Sequence, residues 1–155
     1  MEEQAKVASS EELSIIAQLA DEAVLEQIDG RGGYIWSRRE TSTVPYILSL
    51  EASMASPDEE IWVGNLDNAI LSYARAKVEV LRTGEYLGVV TDIYVTPEAR
   101  SVGLGEALIN VIIEWCQERK CVGIDSMALP GNRETKNFFE TFGFKARLLT
   151  VHRSL

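Results

Sequence analysis

Arg100-Ser101-Val102-Gly103-Leu104-Gly105 follows an apolar run from Tyr86 to Val95 and a Thr96-Pro97 turn, and it opens an amphipathic helical pattern. A glycine-rich turn at a helix start leaves backbone N–H groups unpaired, and the helix dipole adds positive potential there. Gly103 and Gly105 have no side chain beyond hydrogen, so a phosphate has room to approach the main chain. The chemistry expected of this segment is the cradling of a diphosphate.

The spacing narrows the choice of cradle. A dinucleotide fingerprint needs a third glycine where Leu108 stands, and no Gly-Lys-Ser or Gly-Lys-Thr of a P-loop occurs. What stands is R-x-x-G-x-G, preceded by V-x-P at Val95 and Pro97. Asp92-Ile93-Tyr94-Val95 leads into it, Asn132 follows a second strand-like run, and Phe138-Phe139-Glu140-Thr141-Phe142-Gly143-Phe144 comes after. Together these motifs resemble the GNAT superfamily of acetyl-CoA-dependent N-acetyltransferases, closely in the C-terminal half and by element order in the N-terminal half.

The resemblance implies an α/β (α+β) GNAT fold, with a mixed central sheet and helices on both faces. Its fourth and fifth strands would begin as neighbours and then splay around the pantetheine arm. Backbone groups of Ile93, Tyr94 and Val95 would meet the pantetheine and the thioester carbonyl. Ser101, Val102, Gly103, Leu104, Gly105 and Glu106 would offer N–H groups to the diphosphate of coenzyme A, with Arg100 and Arg133 adding positive charge. Asn132 matches the family asparagine that bonds the pantetheine region, although a plain helix N-cap would look the same. Lys136 is either near the nucleotide 3′-phosphate or solvated. Phe139 takes the cofactor-side position where many members carry a tyrosine acid, and it has no proton to give.

The implied reaction is attack of a neutral amine on the acetyl thioester. An alkylamine of pKa about 10.4 is mostly protonated at neutral pH, so a proton must be accepted. The glutamate that some members place before the strand aspartate is Thr91 here, which leaves Asp92 as the nearest carboxylate, read either as a base or as a structural hydrogen-bonding group. Tyr94 would share the face of Asp92. His152, the single histidine, is a further proton-shuttle candidate, and water is another. Family specificity resides in the first two helices and nearby loops, here Gly30 to Glu40, so Tyr34 and Trp36 are the candidate acceptor contacts, with Arg38 or Arg39 binding an acidic group on the substrate; the other reading is an aromatic lid over the core with solvated arginines. The vacant proton-handling positions keep an alternative open, a catalytically weak acyl-CoA-binding sensor.

The elements that must position these groups can be read from periodicity. Ala5 to Ala8 is a short strand, and Ser9 or Ser10 caps a helix running to Asp29. Gly30, Gly32 and Gly33 form a loop, and Val44, Ile47, Leu48 and Met54 mark a second helix ending before Pro57. Strands follow over 60–66 and 69–81, joined at Asp67-Asn68, and over 86–95. The Gly103 helix turns Leu104, Leu108, Ile112 and Trp115 inward. A strand over 121–129, a helix over 132–142 closed by Gly143, and a last strand over 144–153 complete the order. Residues 1–155 read as one domain, and the short last segment leaves a sheet edge that invites a homodimer.

Composition sets the outer bounds. The chain of 155 residues is 46% hydrophobic and 25% charged, with a net charge of −9. That charge argues against nucleic acid or anionic membrane as partners and suits a small-molecule or peptide amine. Cys116 and Cys121 lack metal-ligand spacing, so no metal is expected, and they read as reduced thiols. With no signal-peptide pattern and no membrane-length apolar run, a cytoplasmic location is expected.

Overall fold

The computed structural model describes residues 3–155. Its core is a five-stranded sheet in the order β1-β2-β3-β4-β5, with β1 Glu3–Val7, β2 Glu59–Leu66, β3 Ala69–Val80, β4 Tyr86–Val95 and β5 Cys121–Ser126. The first four strands pair antiparallel, and β5 joins β4 in parallel. Helices α1 (Leu13–Gln27), α2 (Gly33–Arg39) and α3 (Tyr46–Ala55) come before β2, α4 (Leu104–Glu118) joins β4 to β5, and α5 (Arg133–Thr141) follows.

Strand alternation divides the buried side chains into two layers. Ile61 and Val63 of β2 and Tyr73 of β3 pack with Leu13, Ile16, Leu19 and Leu50 from α1 and α3. The neighbours Trp62 and Ala74 turn to the other face, against Leu108, Ile109, Ile112 and Trp115 of α4 and Phe139 of α5. The fold is the expected mixed sheet covered on both sides. Trp62 and Trp115 meet edge to face with ring centroids 5.6 Å apart, a preferred aromatic geometry.

Local signals account for most boundaries. Glu12 accepts from the Ser9 N–H at 2.8 Å, which satisfies a donor at the entry to α1. Asp67 and Asn68 both have positive φ, 48° and 72°, as a tight type I′ hairpin requires.

Three expectations need correction. Gly33 does not lie in a loop but begins α2, a helix hidden by the run of glycines before it. The strand expected over 121–129 ends at Ser126. The strand expected over 144–153 is not formed, and residues 145–155 take no regular structure. A strand needs a neighbouring ladder for its N–H and C=O groups. This segment meets β5 through the Arg147–Asp125 side-chain ion pair, without a backbone bond among the described residues.

Candidate functional site

The site begins where β4 and β5 part. Their pairing runs from Tyr86 opposite Cys121 to Val90 opposite Ser126 and then stops, so residues 91–95 of β4 have no neighbour on that side. On the other side, β3 pairs Arg75 with Asp92 and Ala76 with Val90, which leaves Thr91 as an extra, bulged residue. The bulge sets which side chains point where. Val90 and Ile93 pack toward α4, while Tyr94 packs toward α1 and α3. A cavity of about 90 Å³ opens at the gap, bounded by Ala20 and Val24 of α1, Trp36 and Glu40, Tyr46, and Thr91 and Asp92 of β4.

Asp92 sits in a buried polar network at the floor of this cavity. Arg75 donates from Nε to Asp92 Oδ1 at 3.0 Å and from Nη2 to Oδ2 at 3.2 Å. Its remaining N–H groups reach Ser49 and Ser53 from Nη1, both at 3.2 Å, and Ser42 from Nη2 at 2.6 Å. Every donor of the guanidinium fork therefore has an acceptor. The Tyr73 hydroxyl donates to Asp92 Oδ2 at 2.7 Å. Burial, then the Asp92 charge, hold that phenol well above its usual pKa, so it stays a donor. Both carboxylate oxygens are thus occupied. The network joins β3, β4, α3 and the loop at Ser42. An arginine between alanines in an apolar strand, Ala74-Arg75-Ala76, is the sequence sign of such a buried partner.

The cradle is built on left-handed backbone. Ser101 and Gly103 have φ of 73° and 90°, and Gly103 is the N-cap of α4. The first bond of the α4 turn is Ala107 N–H to Gly103 O at 2.9 Å. The N–H groups of residues 101–106 have no acceptor among the described residues, the condition expected of an anion seat.

Gly105 is corrected in one respect. A Cβ there would lie 2.9 Å from Phe138 Cε1, so its bareness lets α5 pack on α4 instead of opening room for a phosphate. Arg100 is also committed elsewhere. Its Nη1 and Nη2 donate to Glu26 of α1 at 2.8 and 2.7 Å, and its Nε donates to Val95 O at 3.0 Å. It fastens the cradle to α1 and to the end of β4. Beside it, burial and then Glu26 and Glu22 push the Tyr94 phenol up to about 12.

Asn132 caps α5 by accepting from the Thr135 N–H at 3.1 Å, and its amide donates to Gln27 Oε1 at 3.2 Å. Phe139 lies in the α4-side core against Phe144, centroids 5.1 Å apart, and not on the cavity wall. Lys136 pairs with Glu140 at 3.7 Å. Trp36 lines the cavity, whereas Tyr34 is 64% exposed and lies in a separate groove of about 500 Å³ with Gly30, Gly32 and His152. His152 is therefore not brought to the β4–β5 gap. Tyr46 and Tyr73 also line the cavity, and nothing local in the sequence distinguishes them from ordinary helix and strand residues.

The chain matches the model of the Acetyltransferase (GNAT) family over residues 22–144. No match was found among curated proteins. The fold is similar to that of a transcriptional regulator from Bacillus halodurans C-125, at 17% identity and a TM-score of 0.75, covering 99% of this chain and 100% of that one. It is also similar to an aminoglycoside acetyltransferase from an uncultured soil metagenomic sample in complex with sisomicin, at 17% identity, TM-score 0.73, and coverage of 99% and 95%. A third similar structure is AAC(6')-Iy in complex with the bisubstrate analog CoA-S-monomethyl-acetylneamine, at 14% identity and TM-score 0.73 over 100% of both chains.

Proposed function

Because this chain belongs to the GNAT family of acetyltransferases, we propose that it moves the acetyl group of acetyl-CoA to a primary amine at the gap between β4 and β5. The observation that carries this reading is the unpaired N–H run of residues 101–106, set beside the open edge of residues 91–95. The first suits a diphosphate, and the second offers main-chain groups to an amide-bearing arm. When bound, acetyl-CoA supplies an activated thioester with a thiolate leaving group.

The chain's own groups then have distinct tasks. Ser101 to Glu106 hold phosphate oxygens through N–H groups, and Ile93, Tyr94 and Val95 align the arm through backbone. Arg100 positions the cradle through Glu26 and Val95 O. Asp92 acts as a positioning residue, since its oxygens already serve Arg75 and Tyr73. Phe139 contributes packing alone. Because Asp92 is engaged and Phe139 has no proton to give, the ammonium proton leaves to water in the cavity. Thiol release from acetyl-CoA, followed across a panel of primary amines, tests the reading. Turnover with at least one amine is expected. Tight cofactor binding with no turnover on any amine would transfer the case to the acyl-CoA sensor.

Assembly and location belong to the same proposal. Two copies pair through the free edge of β5 and the tail, where Leu148, Leu149 and Val151 are widely exposed. Sedimentation is expected to give the mass of a dimer, and Leu148→Glu with Leu149→Glu is expected to give a monomer. A wild-type monomer at assay concentration would end this part of the proposal. The two free thiols suit the reducing cytoplasm.

A further inference from the structure

We infer that Trp36 and Glu40 form the seat for the ammonium group of a primary alkylamine acceptor. The inference rests on the acetyl-transfer reading of the cavity and adds the class of acceptor. Trp36 and Glu40 are four residues apart at the end of α2, so they share one helix face, and both line the cavity. Tyr34 and Arg38 make the same spacing on another face, with the guanidinium carbon 3.7 Å from the ring centroid, and neither lines the cavity.

Glu40 is not placed where helix stability wants it. It is the C-cap of α2, where the dipole favours cations, as Arg38 and Arg39 supply. Its ion-pair partner Arg39 has a side chain 75% exposed, against 15% for Glu40. A pair with so exposed an arm contributes little and is easily exchanged. Of the cavity's two carboxylates, Asp92 has its oxygens engaged by Arg75 and Tyr73, which leaves Glu40 to meet an incoming cation.

The acceptor arrives charged, since an alkylamine of pKa about 10.4 is an ammonium at neutral pH. A carboxylate and an indole on one face suit that group through charge and cation–π attraction.

The test uses n-pentylammonium chloride titrated calorimetrically into the full chain without acetyl-CoA, at neutral pH, with pentan-1-ol as the uncharged counterpart. Wild type is expected to bind the ammonium. Glu40→Gln is expected to weaken it about tenfold, in the range of one charged contact, while the alcohol is unaffected and the melting temperature unchanged. Glu40→Asp is expected to retain part of the affinity. In thiol-release assays Glu40→Gln should raise KM for pentylamine about tenfold and leave KM for acetyl-CoA in place. Absence of ammonium binding to wild type, or a Glu40→Gln affinity within about twofold of it, overturns the seat. If the ammonium binds as expected but no amine releases thiol, the seat stands and the acetyl-transfer reading falls.

Discussion

Asp92→Asn is expected to lower the unfolding free energy by about 3 kcal/mol while reducing kcat per folded molecule by less than about tenfold. The stability loss follows from burial. The Arg75 side chain is 6% exposed and that of Asp92 19%, and the substitution leaves a guanidinium charge inside the sheet layer without its counter-ion. Removing one member of a buried pair costs far more than removing both, because the survivor stays desolvated and unpaired. The double variant Arg75→Met with Asp92→Leu is therefore expected to recover more than half of the loss. Chemical denaturation of the three variants measures this directly.

The kinetic half of the prediction separates positioning from catalysis. A true general base contributes about 10²–10⁴ in rate, and its loss is seen in kcat. If kcat for the folded fraction of Asp92→Asn fell a thousandfold, Asp92 would be the base after all. The hydrogen bonds argue the other way, since a carboxylate receiving two guanidinium bonds and a phenol proton has little capacity left for an ammonium.

The second large effect is expected at the cradle. Gly103→Asp should weaken acetyl-CoA binding by at least about a hundredfold, equivalent to about 2.7 kcal/mol. Two causes act together. The backbone φ of 90° is one that side-chain-bearing residues adopt with strain. A Cβ would also lie 3.1 Å from Glu3 Oε1, so the new carboxylate would crowd an existing one at the helix start proposed for phosphate. Gly103→Ala brings the strain without the charge and is expected to lose about tenfold. Calorimetric titration with acetyl-CoA reads both, with circular dichroism confirming the fold. An affinity for Gly103→Asp within about threefold of wild type would remove the diphosphate assignment.

How much of this was legible beforehand varied with the range of the interactions. The hairpin at Asp67-Asn68, the strand 86–95, the α4 start at Gly103 and the stop at Gly143 depend on neighbours a few residues away, and each stands where local rules place it. The cradle belongs to the same category, because its N–H groups are orphaned by the helix start itself. The final strand does not form although its apolar residues satisfy the local pattern, because a strand exists only when another chain segment accepts its backbone bonds.

The amino-acid order by itself determined most of the elements, the family motif and the unpaired N–H groups at the start of α4, all products of short-range geometry. The tertiary structure alone decided the tasks of individual side chains. It occupied Asp92 with Arg75 seventeen residues away, joined Arg100 to Glu26 across seventy-four residues, filled the space at Gly105 with Phe138, and turned Trp36 and Glu40 into the cavity. The physical reason is that a side chain's chemistry depends on which partners reach it after the layers have packed. Those partners come from distant segments whose meeting no local pattern records.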